Sequence, residues 1–347
     1  MQNIIFNKLI KKNNKQVFTI IEISGNHLGT FKNLKKLVFK AVKNGADIIK
    51  FQVFKPDTIT INSIRGEFKI KNSKYKNLYS LYQKAFTPWP WISKITKLLN
   101  KKKVPWFASV FDNSSVDFLE TLKCPAYKIA SPEITDVNLI EYVAKKKKPI
   151  ILSTGLSTDE DLKLSLKKIK RFHNKFALLK CSTSYPASLD ELNLNAIGYL
   201  KKKYKCPVGF SDHTTSELAA KVAVVLGATI IEKHFKLDDD KTSIDAFFSL
   251  NISKLNDFKK ELTQISDTLG HPNLKIIKGS LKNINGRRSL YVVKNILKGE
   301  TFNNHNIKSI RPANGMHPKF LKRVIGKKSK INIRFGTPLN KKFIKNF

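Results

Sequence analysis

Eight short apolar runs separated by amphipathic segments constrain the fold of this chain more than any other feature. They are FTIIEIS (18–24), ADIIKFQV (46–53), VPWFASVF (104–111), AYKIAS (126–131), PIILST (149–154), FALLKCS (176–182), PVGFSD (207–212) and ATIIEKHF (228–235). Helix-like stretches lie between them, among them Asn33–Lys43, Val116–Leu122, Leu139–Lys146, Asp159–Phe172 and Ser216–Leu226. Strands that alternate with helices imply a parallel sheet. Eight such units in roughly 250 residues match an α/β fold of the (β/α)8 TIM-barrel type. The rival arrangement is a doubly wound open sheet. A dinucleotide-binding sheet would carry a Gly-x-Gly-x-x-Gly turn after its first strand, and none follows here.

Two stretches interrupt the regular spacing. Phe54–Phe86 is long for a connection, and long insertions at the C-terminal side of a strand tend to be functional loops. After a predicted helix at Leu255–Leu269, the Gly-, Asn- and Lys-rich stretch Gly270–Arg287 reads as a linker. The tail from Arg288 to Phe347 has short β-like runs and many turns, as a small second domain would. The expected organisation is therefore a barrel over 1–269, a linker over 270–287 and a small domain over 288–347. No apolar stretch of about 18 residues is present, so no membrane span is expected. Residues 1–16 lack the apolar core and cleavage site of a secretory signal. Cys124, Cys181 and Cys206 are widely spaced and odd in number, which fits a reducing cytoplasm without disulfides or zinc knuckles.

The net charge of +39 raises nucleic-acid binding as a possibility. Of the 65 basic residues 58 are Lys, and they are scattered along predicted helix faces. Base readers need the fork of Arg. Abundant Lys, Asn and Ile point to an AT-rich coding sequence instead. The charge should still draw in anionic substrates.

Barrel enzymes place their chemistry at the C-terminal ends of the strands. Polar residues gather there in this chain. The first run carries Glu22 and leads into Asn26 and His27. The second carries Lys50 and Gln52, two apart and so on one face. Ser109, then Lys128 with Ser131 and Glu133, and then Ser153 follow on the third, fourth and fifth. The sixth ends in Ser182, Thr183 and Tyr185, the seventh in Ser211, Asp212 and His213, and the eighth in Glu232 and His234. A Lys within an apolar strand is costly unless paired. Lys50 and Lys128 therefore suggest a bound anion, or else pairing with Glu22 or Glu232. His213 and His234 lie one βα unit apart, at strand ends that would be neighbours about 5 Å apart. Two imidazoles with water and substrate oxygens suit a divalent ion such as Mn²⁺. His173, His271, His305 and His317 are isolated, with no ligand role expected.

These residues sit in strings that resemble the sialic acid synthase family, and within it the branch that makes pseudaminic acid. The strings are EISGNHLG (22–29), IKFQVFKPDTIT (49–60), LYQKAFTPWPW (81–91), VDFLETLKCPAYKIASPEITD (116–136), KPIILSTG (148–155), LLKCSTSYPA (178–187), GFSDHT (209–214), GATIIEKHF (227–235), RRSLYVVKNILKGE (287–300) and SIRPANGMHPKFL (309–321). They run in order along nearly the whole chain.

The resemblance implies a TIM barrel followed by an antifreeze-like SAF domain. It also implies a homodimer in which the small domains are swapped over the partner's barrel mouth. The implied reaction condenses phosphoenolpyruvate with an amino-sugar aldehyde, giving pseudaminic acid, with N-acetylneuraminate or legionaminate as the alternative product. A non-catalytic basic relative that binds nucleic acid is the more remote alternative. By motif match Lys50, Ser109, Lys128, Ser131, Ser153, Ser182 and Ser211 would hold phosphoenolpyruvate. His213 and His234 would bind a divalent metal, Mn²⁺ or else Mg²⁺ or Co²⁺. Glu22, Tyr185, Glu232 and Asp245 would act at the reacting centre, with Gln52 and Glu133 beside the sugar, and Arg311 would reach the sugar across the dimer. The sequence departs from the family pattern at GNHL (25–28), where ANHN is frequent. It departs again at KTSI (241–244), where a Gly-Gly-Pro turn is usual, and at Ala313-Asn314, where Gly-Tyr is common. Tyr79, Tyr82, Phe86, Trp89 and Trp91, beside the insertion, either wall the sugar pocket or pack that loop onto the barrel.

Overall fold

A computed structural model describes residues 2–11, 16–70, 75–270 and 272–347. The chain divides into two compact units, Met1–Gly270 and His271–Phe347.

In the first unit eight parallel strands close into a barrel: β1 (Phe18–Glu22), β2 (Ile48–Val53), β3 (Trp106–Val110), β4 (Tyr127–Ile129), β5 (Ile150–Ser153), β6 (Phe176–Cys181), β7 (Val208–Asp212) and β8 (Ile230–Lys236). Closure comes from β1 against β8, with Phe18 opposite Ile230 and Glu22 opposite His234. Each expected apolar run supplies one strand. The strands are buried on both faces, as a parallel sheet covered by helices requires. A two-residue strand, β9 (Leu250–Asn251), pairs in parallel with the end of β8.

The first unit's helices are α1 (Gln2–Leu9), α2 (Phe31–Lys43), α3 (Pro56–Ile59), α4 (Leu78–Ala85), α5 (Trp89–Lys101), α6 (Asn113–Thr121), α7 (Val137–Lys145), α8 (Asp159–Lys170), α9 (Ala196–Tyr204), α10 (Leu218–Val225) and α11 (Leu255–Leu269). Their inner faces explain them. In α2, Leu34, Leu37, Val38 and Ala41 are buried at helical spacing, and Thr30 caps the start by accepting from the Asn33 N–H at 3.2 Å. In α8, Asp159, Glu160 and Asp161 occupy the first turn and Lys167, Lys168 and Lys170 the last, which complements the helix dipole.

Two parts of this layer depart from the periodic reading of the sequence. Residues 2–9 form a helix that buries Phe6 and Leu9, with Phe6 edge-on to Phe107 at 5.3 Å. The insertion after β2 carries α3 and α4, and Pro90 starts α5 just beyond it.

In the second unit, α12 (Lys278–Leu281) lies within a stretch exposed over 272–283. Antiparallel strands β10 (Ser289–Val292) and β11 (Ile307–Ile310) and the short helix α13 (Leu321–Val324) follow. Leu290, Val292, Ile296, Phe302, Val324, Leu339 and Ile344 form their own core. Among the described residues no helix is long and apolar enough to cross a membrane.

Candidate active site

A cavity of about 960 Å³ opens at the C-terminal ends of the barrel strands. The strand register puts charged and hydroxyl side chains on its floor. Glu22 stands opposite Lys50, Gln52 opposite Ser109, Ser109 opposite Lys128, and Ser211 opposite Glu232. These residues alternate with others that point away from the cavity under the helices, most of them apolar.

Four charged side chains, all buried, form one network. Lys50 pairs with Glu22 and lies 3.4 Å from Glu232 Oε1, while its Nζ donates to Ser109 Oγ at 3.2 Å. Lys128 Nζ donates to Glu232 Oε1 at 3.1 Å, and Ser211 Oγ donates to the same oxygen at 3.0 Å. Burial works against every charge here. For Glu232 the two lysines overcome it and hold the carboxyl down at about 2. Burial likewise opposes the Lys50 charge, but Glu22 and Glu232 raise its pKa above the usual lysine value. Lys128, with burial and the neighbouring Lys50 against it, falls below. The pairing that the sequence left open is thus present, and both lysines still face the cavity.

Hydroxyls ring the cations. Ser109, Ser131, Ser153, Thr183 and Ser211 line the cavity. Ser131 Oγ accepts from the Leu156 N–H at 2.7 Å and from Thr183 Oγ1 at 3.0 Å. Gly155 permits that meeting, because a Cβ there would come within 2.8 Å of Ser131 Oγ. Ser153 Oγ is buried with no hydrogen-bond partner.

His213 and His234 face each other with ring centroids 5.6 Å apart. The Nδ1 of His213 is engaged by the Ser182 carbonyl at 2.8 Å, which leaves Nε2 as the uncommitted nitrogen. Burial, and then the neighbouring His234, push the His213 pKa down to about 3, so its imidazole is neutral. His234 Nδ1 is buried without a hydrogen-bond partner, 3.3 Å from Asp245 Oδ2. A neutral imidazole facing a second one with an unpartnered ring nitrogen fits a divalent metal. Among the described residues no group of three or more His, Cys, Asp and Glu side chains could hold an ion by themselves. The pair therefore suits an ion completed by water or substrate oxygens.

Most of the residues expected from the sequence meet at this cavity: Lys50, Gln52, Ser109, Lys128, Ser131, Ser153, Tyr185, Ser211, His213, Glu232, His234 and Asp245 all line it. Four do not. Glu22 is wholly buried beside Lys50, with Oε1 accepting from the Ser24 N–H at 2.7 Å, and does not itself line the cavity. Glu133, half-buried next to the lining residues Ser131 and Pro132, does not itself line the cavity, and burial raises its carboxyl to about 7. The Ser182 hydroxyl turns away to the Glu191 carbonyl at 3.3 Å, and the residue contributes its backbone oxygen to His213 instead. Arg311 is exposed on the second unit.

The aromatic segment is split between its two roles. Tyr82 lines the cavity with Phe54, Ile59, Ile70, Tyr75 and Leu81. Trp89 stacks on Phe118 at 4.5 Å and Trp91 packs edge-on to His27 at 5.7 Å, so both anchor the insertion. Thr183, Phe248 and the loop Lys241–Ile244 also line the cavity, and sequence reasoning did not assign them to it. Thr183 was visible as a strand-end hydroxyl beside Ser182. The loop stood out in the sequence only as a departure from the family pattern.

Two of the departures from the family pattern touch. Ser243 Oγ accepts from the Leu28 N–H at 3.2 Å, and a Cβ on Gly25 would come within 2.8 Å of Asp245 Cγ.

A (β/α)8 barrel whose strand ends hold paired lysines, a ring of hydroxyls and a facing pair of histidines has the site of an enzyme that handles a small anion beside a metal. The chain belongs to the NeuB family, whose model matches residues 37–273, and a SAF-domain model matches residues 287–345. It is 41% identical to the pseudaminic acid synthase of Campylobacter jejuni, over 94% of this chain and 96% of that one. Against the N,N'-diacetyllegionaminic acid synthase of the same species the identity is 35%, over 90% and 96%. Among solved structures, an N-acetylneuraminic acid synthetase from Leptospira borgpetersenii in complex with citrate superposes with a TM-score of 0.71. It is 29% identical and covers 80% of this chain and 94% of that one.

Proposed function

We propose that this protein is a pseudaminic acid synthase. It condenses phosphoenolpyruvate and water with 2,4-diacetamido-2,4,6-trideoxy-β-L-altropyranose, giving pseudaminic acid and phosphate. The observation that carries the reaction class is the pair of buried lysines facing a hydroxyl-lined cavity. Charge fixed in place before substrate arrives stabilises a dianion without reorganisation cost. The higher identity to the pseudaminate enzyme than to the legionaminate enzyme of one species supports the choice of sugar. So does the apolar wall of Phe54, Ile59, Ile70 and Leu81. A deoxygenated, twice-acetamidated sugar offers methyl groups to such a wall, and a hydroxyl buried there unpaired would cost about 1–3 kcal/mol.

In this reading Lys50 and Lys128 hold the carboxylate and phosphate of phosphoenolpyruvate, with Ser109, Ser131, Ser153 and Ser211 donating hydrogen bonds. Ser182 serves the same anion through its neighbour Thr183 and through the orientation of His213. C3 of phosphoenolpyruvate attacks the aldehyde carbon of the open-chain sugar, and water then adds at C2. Glu232 accepts a hydrogen bond from that water through Oε2, which is buried and has no other hydrogen-bond partner. The C2–O bond to phosphate then breaks as C2 becomes a ketone; of the water's two protons, one passes to the former aldehyde oxygen and the other to the departing phosphate. Glu22 keeps Lys50 charged and in place. Tyr185 and Asp245 border the sugar near the histidines, with Gln52 and Glu133 on its other side. His213 and His234 would hold a divalent ion, Mn²⁺ in our reading, which would supply Lewis acidity toward the aldehyde. Arg311 reaches the sugar of a partner chain within a homodimer.

Phosphate release measured with phosphoenolpyruvate, Mn²⁺ and each sugar tests this assignment. The altrose-configured diacetamido sugar should give the highest kcat/KM. A preference for N-acetylmannosamine, or for the mannose-configured diacetamido sugar, would replace the product by N-acetylneuraminate or legionaminate. No phosphate release with any sugar would reject the reaction class.

A further inference from the structure

Behind the histidine pair lies a second ion pair that the reaction does not use. Strands β7 and β8 run in parallel with Ser211 opposite Glu232 and Asp212 opposite Lys233. Ser211, Glu232, His213 and His234 face the cavity. Asp212 and Lys233 are the alternate residues, point to the opposite face, and are both completely buried. Lys233 Nζ lies 2.7 Å from Asp212 Oδ2. It also donates to the Thr214 carbonyl at 2.9 Å, while the Thr214 N–H donates to Asp212 Oδ1 at 2.8 Å. Thr214 directly follows His213. Both polar groups of its backbone are therefore held by this pair, and the pair itself spans the two strands that carry the histidines.

A layer between sheet and helices is ordinarily apolar. Replacing a buried ion pair by apolar side chains of similar volume is often neutral or stabilising. Stability alone therefore gives no reason for charges here. Geometry does: an apolar pair could fill the space but could not hold the Thr214 peptide.

We propose that Asp212 and Lys233 are positioning residues, a clamp that fixes the backbone on the C-terminal side of His213 against β8. The two imidazoles are thereby kept in one arrangement before any ligand binds. This inference rests on the reading of His213 and His234 as metal ligands. Partners that orient metal-binding histidines are commonly worth 10- to 100-fold in metal affinity.

The test uses the full chain without substrate. Mn²⁺ affinity is read from the electron paramagnetic resonance signal of the free ion, and thermal midpoints are measured in chelator. The double variant Asp212→Leu/Lys233→Met should keep a thermal midpoint at or above that of the natural chain, yet bind Mn²⁺ at least about tenfold more weakly. Asp212→Asn keeps the shape and the bond from Thr214 but weakens the hold on Lys233. It should lose affinity by a smaller factor, and it decides the matter if the double variant does not fold. Natural Mn²⁺ affinity in a folded double variant, or in Asp212→Asn where the double variant does not fold, would overturn the clamp. A separate arm checks the premise: if His213→Ala binds Mn²⁺ as tightly as the natural chain, the ligand assignment fails and the clamp fails with it.

Discussion

The barrel unit buries Glu22, Lys50, Lys128, Asp212, His213, Glu232, Lys233 and His234, whereas among the described residues the buried polar ones of the C-terminal unit are Ser289, Asn306 and Ser329. Those three are fully occupied. Ser289 Oγ donates to the Pro312 carbonyl and accepts from the Gly315 N–H, Asn306 donates to the Thr301 carbonyl, and Ser329 donates to the Ile331 carbonyl. Among the described residues, the buried side-chain polar atoms without a hydrogen-bond partner all belong to the barrel unit, Ser153 Oγ, Glu232 Oε2 and His234 Nδ1 among them. Such atoms destabilise a fold unless a ligand satisfies them. The contrast separates an open unit, whose interior keeps unpartnered polar atoms, from a closed one, whose described buried polar residues are all paired.

The largest expected effect exploits that contrast. Lys128→Met/Glu232→Leu should lower kcat/KM by about 10³-fold or more while leaving the thermal midpoint unchanged or higher. Ile296→Ala in the C-terminal core should do the reverse, costing about 2–5 kcal/mol of stability. Its kcat/KM should stay natural at temperatures where the chain remains folded. Equal losses of stability and activity in both variants would erase the distinction.

Arg311 asks whether the closed unit nevertheless serves the open one. Arg311→Ala should reduce kcat/KM by about 10²-fold. When such chains are mixed with Lys128→Met chains, each mixed dimer should regain one working site. Recovery would locate Arg311 in its partner's site, and its absence after verified exchange would confine Arg311 to its own chain.

A smaller effect sharpens the description of the mouth. Gly25 has a φ of +81° and lies against the Asp245 carboxylate. Gly25→Ala should raise KM for the sugar about tenfold by pushing that carboxylate aside. In an Asp245→Ala background the same change should add little to KM. Additive effects would mean that backbone strain alone is responsible.

The smallest effect is a pH dependence of stability. Glu133 is raised by burial to about 7, so the folded state holds a proton that the unfolded chain releases near pH 4.5. Its contribution is complete below the unfolded value and is lost as pH rises through about 7. Thermal midpoints measured between pH 4.5 and 8 should decline less in Glu133→Gln than in the natural chain. Identical profiles would show that Glu133 is not the buried acid.

Much of the barrel was legible because its signals are local. The run ADIIKFQV announces a strand by composition, and the two-residue period puts Lys50 and Gln52 on one face without reference to any other part of the chain. The helix Leu255–Leu269 coincides with its predicted limits for the same reason. Residues 2–9 were not read as a helix. The segment is short, and its burial comes from packing such as that of Phe6 on Phe107, not from an internal period strong enough to announce it. The family strings located the serines, but not which way each turns. Ser182 and Thr183 are neighbours in sequence, and contacts with Glu191 and Ser131 decide which hydroxyl reaches the cavity.

The sequence by itself determined the class of fold and the residue types at each strand end, since both follow from patterns a few residues long. Tertiary structure decided the partnerships. Barrel closure sets Glu22 beside His234. The meeting of β7 and β8 sets Asp212 against Lys233 and His213 against His234. The return of a distant loop sets Asp245 over Gly25. Strand periodicity specifies a face, not a partner. Which charges share a buried volume, and so which pKa values move, depends on distances through space that no local pattern encodes.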